Sequence, residues 1–203
     1  MKRVKSGGRN SQVLVSRTAP GLVKKLFEQQ VPEIAQGLVE IKSVSREAGH
    51  RTKMAIYSSD SRVDAVGACV GNKGSRVNAV VNELGGEKID IILWSENPLE
   101  FIAKALSPAT VISVTQTGEN AAVAVVPDEK LSLAIGRDGQ NARLAARLTG
   151  WKIDVKDYST AEKLGLLAYE NEDEETESEE AAAGTDETKS AEVAAEETGK
   201  TEE

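Results

Sequence analysis

Apolar positions along this chain switch between a period of two and a period near 3.6, and the switches divide it into elements. Ser11 to Thr18 alternates well enough to be a strand, whereas residues 1–10 are basic and glycine-rich and are expected to be loose. Pro20 follows Thr18 as a cap, and Leu22, Val23, Leu26 and Phe27 predict an amphipathic helix over 21–28. Val31 to Ala35 gives a short second turn. Residues 38–46 and 51–58 read as a β-hairpin around Ala48-Gly49, with Met54, Ile56 and Ser58 on one face and Ala55 and Tyr57 on the other. Helices over 62–70 and 75–84 follow, then a strand from Lys88 to Trp94, with Trp94 expected in the core.

The second half repeats this order. Asn97-Pro98 opens a helix from Leu99 to Leu106, stopped by Ser107-Pro108. Strands over 110–117 and 120–126 meet through Gly118-Glu-Asn120. Asp128 and Glu129 favour the start of a helix ending at Ile135. A helix over 140–149 and a strand over 151–156 complete the copy. The order α-β-β-α-α-β thus occurs twice, an α+β pattern in which each unit is a three-stranded sheet with helices on one face. Strand directions stay open at this point. The link Ser95-Glu-Asn-Pro98 is too short for free tumbling, so the two units are expected to move as one and to pack together.

Each copy carries a Gly-x-x-Gly turn between its paired helices: Gly71-Asn72-Lys73-Gly74 and Gly136-Arg137-Asp138-Gly139. The tetrad alone is weak, because 17 glycines give about one such match by chance. Context adds the weight. Val66, Cys69, Val70, Val77, Val80, Val81 and Leu84 fall near helical spacing around the first turn. Leu131, Ala134, Ile135, Ala142, Ala145, Ala146 and Leu148 do so around the second, and a Lys-Ile-Asp strand follows each. This is the order in which a KH domain clamps single-stranded RNA. Glycines let a phosphate approach the backbone, and the helix that starts there favours an anion. The candidate RNA-binding residues are Gly71, Asn72, Lys73, Gly74 and Arg76 at the first turn. At the second they are Gly136, Arg137, Asp138, Gly139, Gln140, Asn141 and Arg143. Asp138 is discordant, since a carboxylate in a phosphate clamp repels unless it points outward. Bases would rest on an aliphatic groove, which suits a chain with only 3% aromatic residues.

The net charge of −8 hides a division. Residues 1–158 hold 22 Lys and Arg against 17 Asp and Glu, a basic body that suits a polyanion. Residues 159–203 hold 3 against 16. Ala161 to Tyr169 reads as one short helix, and 171–203 as disordered, because it cannot bury enough apolar surface to offset ordering entropy. Cys69 is the only cysteine, which excludes an intrachain disulfide and a Cys-based metal site; it reads as a buried structural thiol. His50 is the only histidine and sits in a hairpin turn, as a surface residue. Gly67 to Ser75 lacks the consecutive Gly-Lys-Ser/Thr of a phosphate-binding P-loop. No enzyme, metal or cofactor is therefore expected. No apolar run approaches the ~18 residues of a membrane span, and Met1 to Gly8 has no signal-peptide core. The expectation is a cytoplasmic monomer.

Several strings resemble a known family. Val15-Ser-Arg-Thr18, Val31-Pro-Glu-Ile34, Val66-Gly-Ala-Cys-Val-Gly71, Glu83-Leu-Gly-Gly-Glu-Lys-Ile-Asp90, Ile135-Gly136 and Gly139-Gln-Asn141 are similar to the NusA family of bacterial transcription termination/antitermination factors, from about Ser11 to Asp157. The resemblance implies two tandem prokaryotic-type (type II) KH domains forming one RNA-binding unit. These are expected over 19–96, with its leading helix, and 97–158, followed by the acidic tail over 159–203. It implies action on nascent single-stranded RNA in pausing, termination and antitermination, with RNA polymerase and other elongation factors as partners. The family begins with a polymerase-binding domain and an S1 barrel; residues 1–18 read as the last strand of that barrel, and the rest has no counterpart here. A general KH-type protein acting on ribosomal RNA or mRNA is the alternative reading.

Overall fold

The computed structural model describes residues 3–7 and 10–166; the acidic segment expected to be disordered lies outside them. The first elements are β1 (Arg3–Gly7) and β2 (Asn10–Leu14), paired antiparallel. Residues 3–7 are therefore strand rather than loose. The strand expected over 11–18 ends at Leu14, whose partner in the register is Arg3. Next come α1 (Pro20–Gln30) and the single turn α2 (Pro32–Ala35). Each has proline in its first turn, where the missing N–H would have no intrahelical partner.

The first copy comprises β3 (Glu40–Glu47), β4 (Arg51–Tyr57), α3 (Ala65–Val70), α4 (Ser75–Glu83) and β5 (Lys88–Leu93). The second comprises α5 (Pro98–Ala105), β6 (Ser113–Gly118), β7 (Ala121–Val126), α6 (Leu131–Ile135), α7 (Gln140–Thr149) and β8 (Lys152–Asp157). Both sheets settle the strand directions alike. The hairpin pair is antiparallel, and the third strand joins the central one in parallel after a two-helix crossover. Asp157 caps α8 (Tyr158–Lys163), which starts three residues before the helix expected from the sequence; residues 167–169 of that expectation lie outside the described chain.

The pleat of β4 sends its side chains into two different cores. Met54 and Ile56 pack with Val23 and Phe27 of the leading helix α1, Cys69 of α3 and Val80 of α4. Ala55 points the other way. With its cross-strand neighbour Ile92 it joins Phe101, Ile102, Ala145 and Leu148 of the second copy. The first sheet is thus covered on both faces, by α1, α3 and α4 and by α7. That helix can do this because Asn141, Leu144, Ala145 and Leu148 form a buried stripe at helical spacing. Polar contacts cross the same seam: Ser43 Oγ donates to the Leu148 carbonyl at 3.1 Å, and the buried Lys53 ammonium donates to the Ser107 carbonyl at 2.6 Å. Trp94 flanks this core and is half-buried, meeting Tyr57 edge-on at 5.4 Å, with the Lys42 ammonium 5.2 Å from its ring.

A buried ion pair fixes the chain's approach to the first copy. Arg46 donates to both Glu87 oxygens at 2.8 and 2.9 Å, and to the carbonyls of Arg17 and Ala19. Glu87 also accepts from Thr52 Oγ1 and Gly49 N–H. Burial pushes the Glu87 carboxyl upward, but these donors more than offset it and leave it below the usual carboxylate range. A carboxyl with a folded pKa below its unfolded value contributes stability above the ordinary range and loses it on acidification. Melting temperature should therefore fall as pH drops below ~4.5, and Glu87→Gln should flatten that dependence while costing about 3 kcal/mol at neutral pH.

Leu148→Ala should cost about 2–5 kcal/mol by opening a cavity in the shared core. Because that core belongs to both copies, calorimetry of the variant should still show one cooperative transition. Two separate transitions would contradict a shared core.

Candidate nucleic-acid interface

The two glycine turns have the same backbone. Gly71 has φ 74° and ψ 173°, Lys73 φ 50° and ψ 31°, Gly74 φ 77° and ψ 15°. Gly136 has φ 75° and ψ 170°, Asp138 φ 52° and ψ 28°, Gly139 φ 71° and ψ 16°. Both glycines of each turn lie in the left-handed half of conformational space, which accounts for their identity. The third residue is left-handed too. Asp tolerates that conformation well, so Asp138 has a conformational reason to be there. Its side chain is 89% exposed and lies 3.7 Å from the Arg137 guanidinium, itself 95% exposed. Asn72 and Lys73 are exposed at the equivalent places.

Close packing reinforces the choice of glycine at the first position of each turn. A Cβ on Gly71 would sit 2.7 Å from Arg76 Cγ, and one on Gly136 would sit 2.8 Å from Asn141 Cβ. Arg76 and Asn141 each stand five residues after that glycine, and both turn inward. Arg76 donates to the Ala68 carbonyl at 2.6 Å and to Glu33 at 3.0 Å. Asn141 is buried and donates to the carbonyls of Ala134 at 3.0 Å and Leu106 at 2.9 Å. Each side chain thus ties the second helix of its pair to the last turn of the first. The sequence groups both with the RNA contacts; the structure places them behind the turns as braces.

The remaining candidates are distributed unequally. Neither α4 nor α7 has a side-chain N-cap; Gly74 and Ser75 N–H donate to the Gly71 and Asn72 carbonyls within the first turn, Gly139 and Gln140 N–H to those of Gly136 and Arg137 within the second, and the positive end of each helix points at its turn. Arg143 is half-exposed and donates to the Asp138 carbonyl at 3.1 Å and to Glu47 at 2.8 Å. Gln140 donates to the other Glu47 oxygen at 2.8 Å. Glu47 comes from β3 of the first copy and carries no signal in the sequence, since only packing brings it to α7. Hydrogen bonds from Arg143, then Gln140, hold its carboxyl below the usual range. A cleft of about 730 Å³ opens here, between the first hairpin turn and the second glycine turn. His50 and Lys88 line it beside Arg137 and Arg143. His50 is exposed, as its turn position predicts.

The other reactive group is withdrawn from solvent. Cys69 is fully buried, and burial pushes its thiol up to about 12, so no thiolate nucleophile forms at neutral pH. No group of three potential metal ligands occurs among the described residues, and no helix among them is long and apolar enough to cross a membrane.

Residues 17–94 match the NusA-like first KH domain, and residues 98–163 match the NusA-like second KH domain. The chain is 57% identical over 175 residues to the transcription termination/antitermination protein NusA of Halalkalibacterium halodurans, covering 86% of this chain and 46% of that protein. It is 55% identical over 174 residues to the protein of that name from Bacillus subtilis, covering 85% and 47%. For the one from Thermus thermophilus the figures are 49% over 159 residues, 77% and 41%. The chain spans about half the length of these relatives.

Asp138→Asn should keep the turn, because Asn is equally at ease at positive φ, and should tighten single-stranded RNA binding about threefold by removing one screened charge. Asp138→Val should instead cost about 1–2 kcal/mol of stability. Filter binding and thermal melts of the two variants check the pair.

Proposed function

The chain belongs to the NusA family through its tandem first and second KH domains, and on that premise we propose that it binds nascent single-stranded RNA through both glycine turns. In this reading it thereby modulates pausing, termination and antitermination. Two exposed turns of one backbone geometry, each leading into a helix without a side-chain N-cap, carry the proposal. A phosphate is the anion such a turn suits, because its oxygens accept from main-chain N–H groups that no side chain has taken.

Lys73 and Arg137 supply exposed charge at the turns, while Arg76 and Asn141 hold the turns in shape. The exposed Leu133 and Ile135 of α6 give bases an aliphatic surface beside the second turn. The basic balance of residues 1–158 adds attraction that does not depend on sequence. RNA polymerase and other elongation factors join the proposal as partners by family membership, for the longer architecture that the relatives have.

Replacing Asn72 and Lys73 together by Asp puts two negative charges at the first turn without touching its brace. Affinity for single-stranded RNA, read by fluorescence anisotropy, should fall more than tenfold, ~1.4 kcal/mol or more. Unchanged affinity with an intact circular dichroism spectrum would remove the first turn from the site.

A further inference from the structure

We propose that Glu47 is a resident competitor at the second turn: its carboxylate holds the cations that an RNA phosphate would otherwise take, so the first domain sets the affinity of the second. The inference rests on the RNA-binding reading above and adds a regulator to it. The side-chain partners that the structure gives Glu47 all come from the other domain. One oxygen accepts from Arg143 Nε at 2.8 Å and lies 3.6 Å from Arg147 Nη1; the other accepts from Gln140 Nε2 at 2.8 Å. Residues 140, 143 and 147 are successive positions on one face of α7, starting at the residue after the turn. A singly charged, two-oxygen acceptor on that face is a close electrostatic match for one phosphate.

Two further observations separate competition from simple stapling. The domains are held without Glu47, by Ala55 and Ile92 against Ala145 and Leu148 and by Lys53 on the Ser107 carbonyl. The Glu47 side chain is 20% exposed, but Arg143 and Arg147 are 44% and 53% exposed. Arg143 lines the cleft, so an incoming phosphate can reach its guanidinium there and draw it from the carboxylate, with the exposed Arg147 one helical turn further along. Arg143 keeps its second donor on the Asp138 carbonyl, which leaves it at the turn when it changes partner.

The two roles predict opposite signs. Glu47→Gln keeps the shape and removes the charge. With the full chain and a fluorescein-labelled, mixed-sequence single-stranded RNA a dozen nucleotides long, binding should tighten about three- to tenfold at low salt. The log–log salt slope should steepen by about 0.7, the value of one added phosphate contact on a single strand. Adding Arg143→Ala to Glu47→Gln should abolish the gain. Unchanged or weaker binding by a folded Glu47→Gln variant would overturn the competitor role and leave the RNA-binding reading standing. Failure of the unaltered chain to bind the RNA would overturn both. If the variant does not fold, the unaltered chain decides. The Arg143 Nε–H resonance should shift on RNA addition, and a fixed resonance would overturn the proposal.

Discussion

One helix lies between two sheets, and most of the structure follows from that contact. α7 buries Leu144, Ala145 and Leu148 and contributes Ala145 and Leu148 to a core that also holds Ala55 and Ile92 of the first sheet. Small residues dominate the meeting point, with Ala55, Ala105, Ala122, Ala124 and Ala145 in one cluster. Alanines let main chains approach closely, and such a core needs few aromatic rings to fill it. Because α7 also begins at the second glycine turn, the packing that joins the domains fixes the position of that turn. The seam and the proposed binding surface share a helix, with the apolar stripe serving one and Gln140, Arg143 and Arg147 the other.

The turns themselves solve a local problem twice by different means. A helix–turn–helix with a left-handed residue in the turn needs something to hold its two helices together. In the first domain Arg76 does this and brings Glu33 of α2 with it. In the second the shorter, neutral Asn141 does it and reaches the end of α5 at Leu106. The same position is charged and half-buried in one case, neutral and buried in the other. Lys73 and Asp138 occupy the strained place of each turn and project outward, so the turns differ mainly in the charge they display.

Several polar groups at the domain seam are paired, in keeping with the cost of leaving a buried donor or acceptor unsatisfied, while Ser45 Oγ and Asn141 Oδ1 are buried there without a partner. Lys53 is fully buried and reaches both Asp90 and the Ser107 carbonyl. Burial pulls its pKa down, and the neighbouring Asp90 carboxylate opposes that shift. These contacts specify one relative placement of the domains, which apolar packing by itself would leave less sharply defined.

The repeated element order, the hairpins and the glycine turns are legible in the sequence, because local periodicity and turn chemistry determine them. Val66, Cys69 and Val80 near the first turn, and Ala145 and Leu148 beyond the second, fall where helical spacing puts them, whereas the buried Leu144 is added by the structure. Family membership is legible as well, in strings such as Glu83 to Asp90. The sequence does not separate Lys73 and Arg137, which face outward, from Arg76 and Asn141, which face inward, because all four stand within a few residues of a glycine. Nor does it mark Glu47, which lies 93 and 96 residues before its partners Gln140 and Arg143. Strand direction, the second buried face of β4 and the partner of every charged side chain at the seam are long-range pairings. Those were decided only when the two sheets closed on α7, since side-chain contacts between distant segments leave no period in the chain.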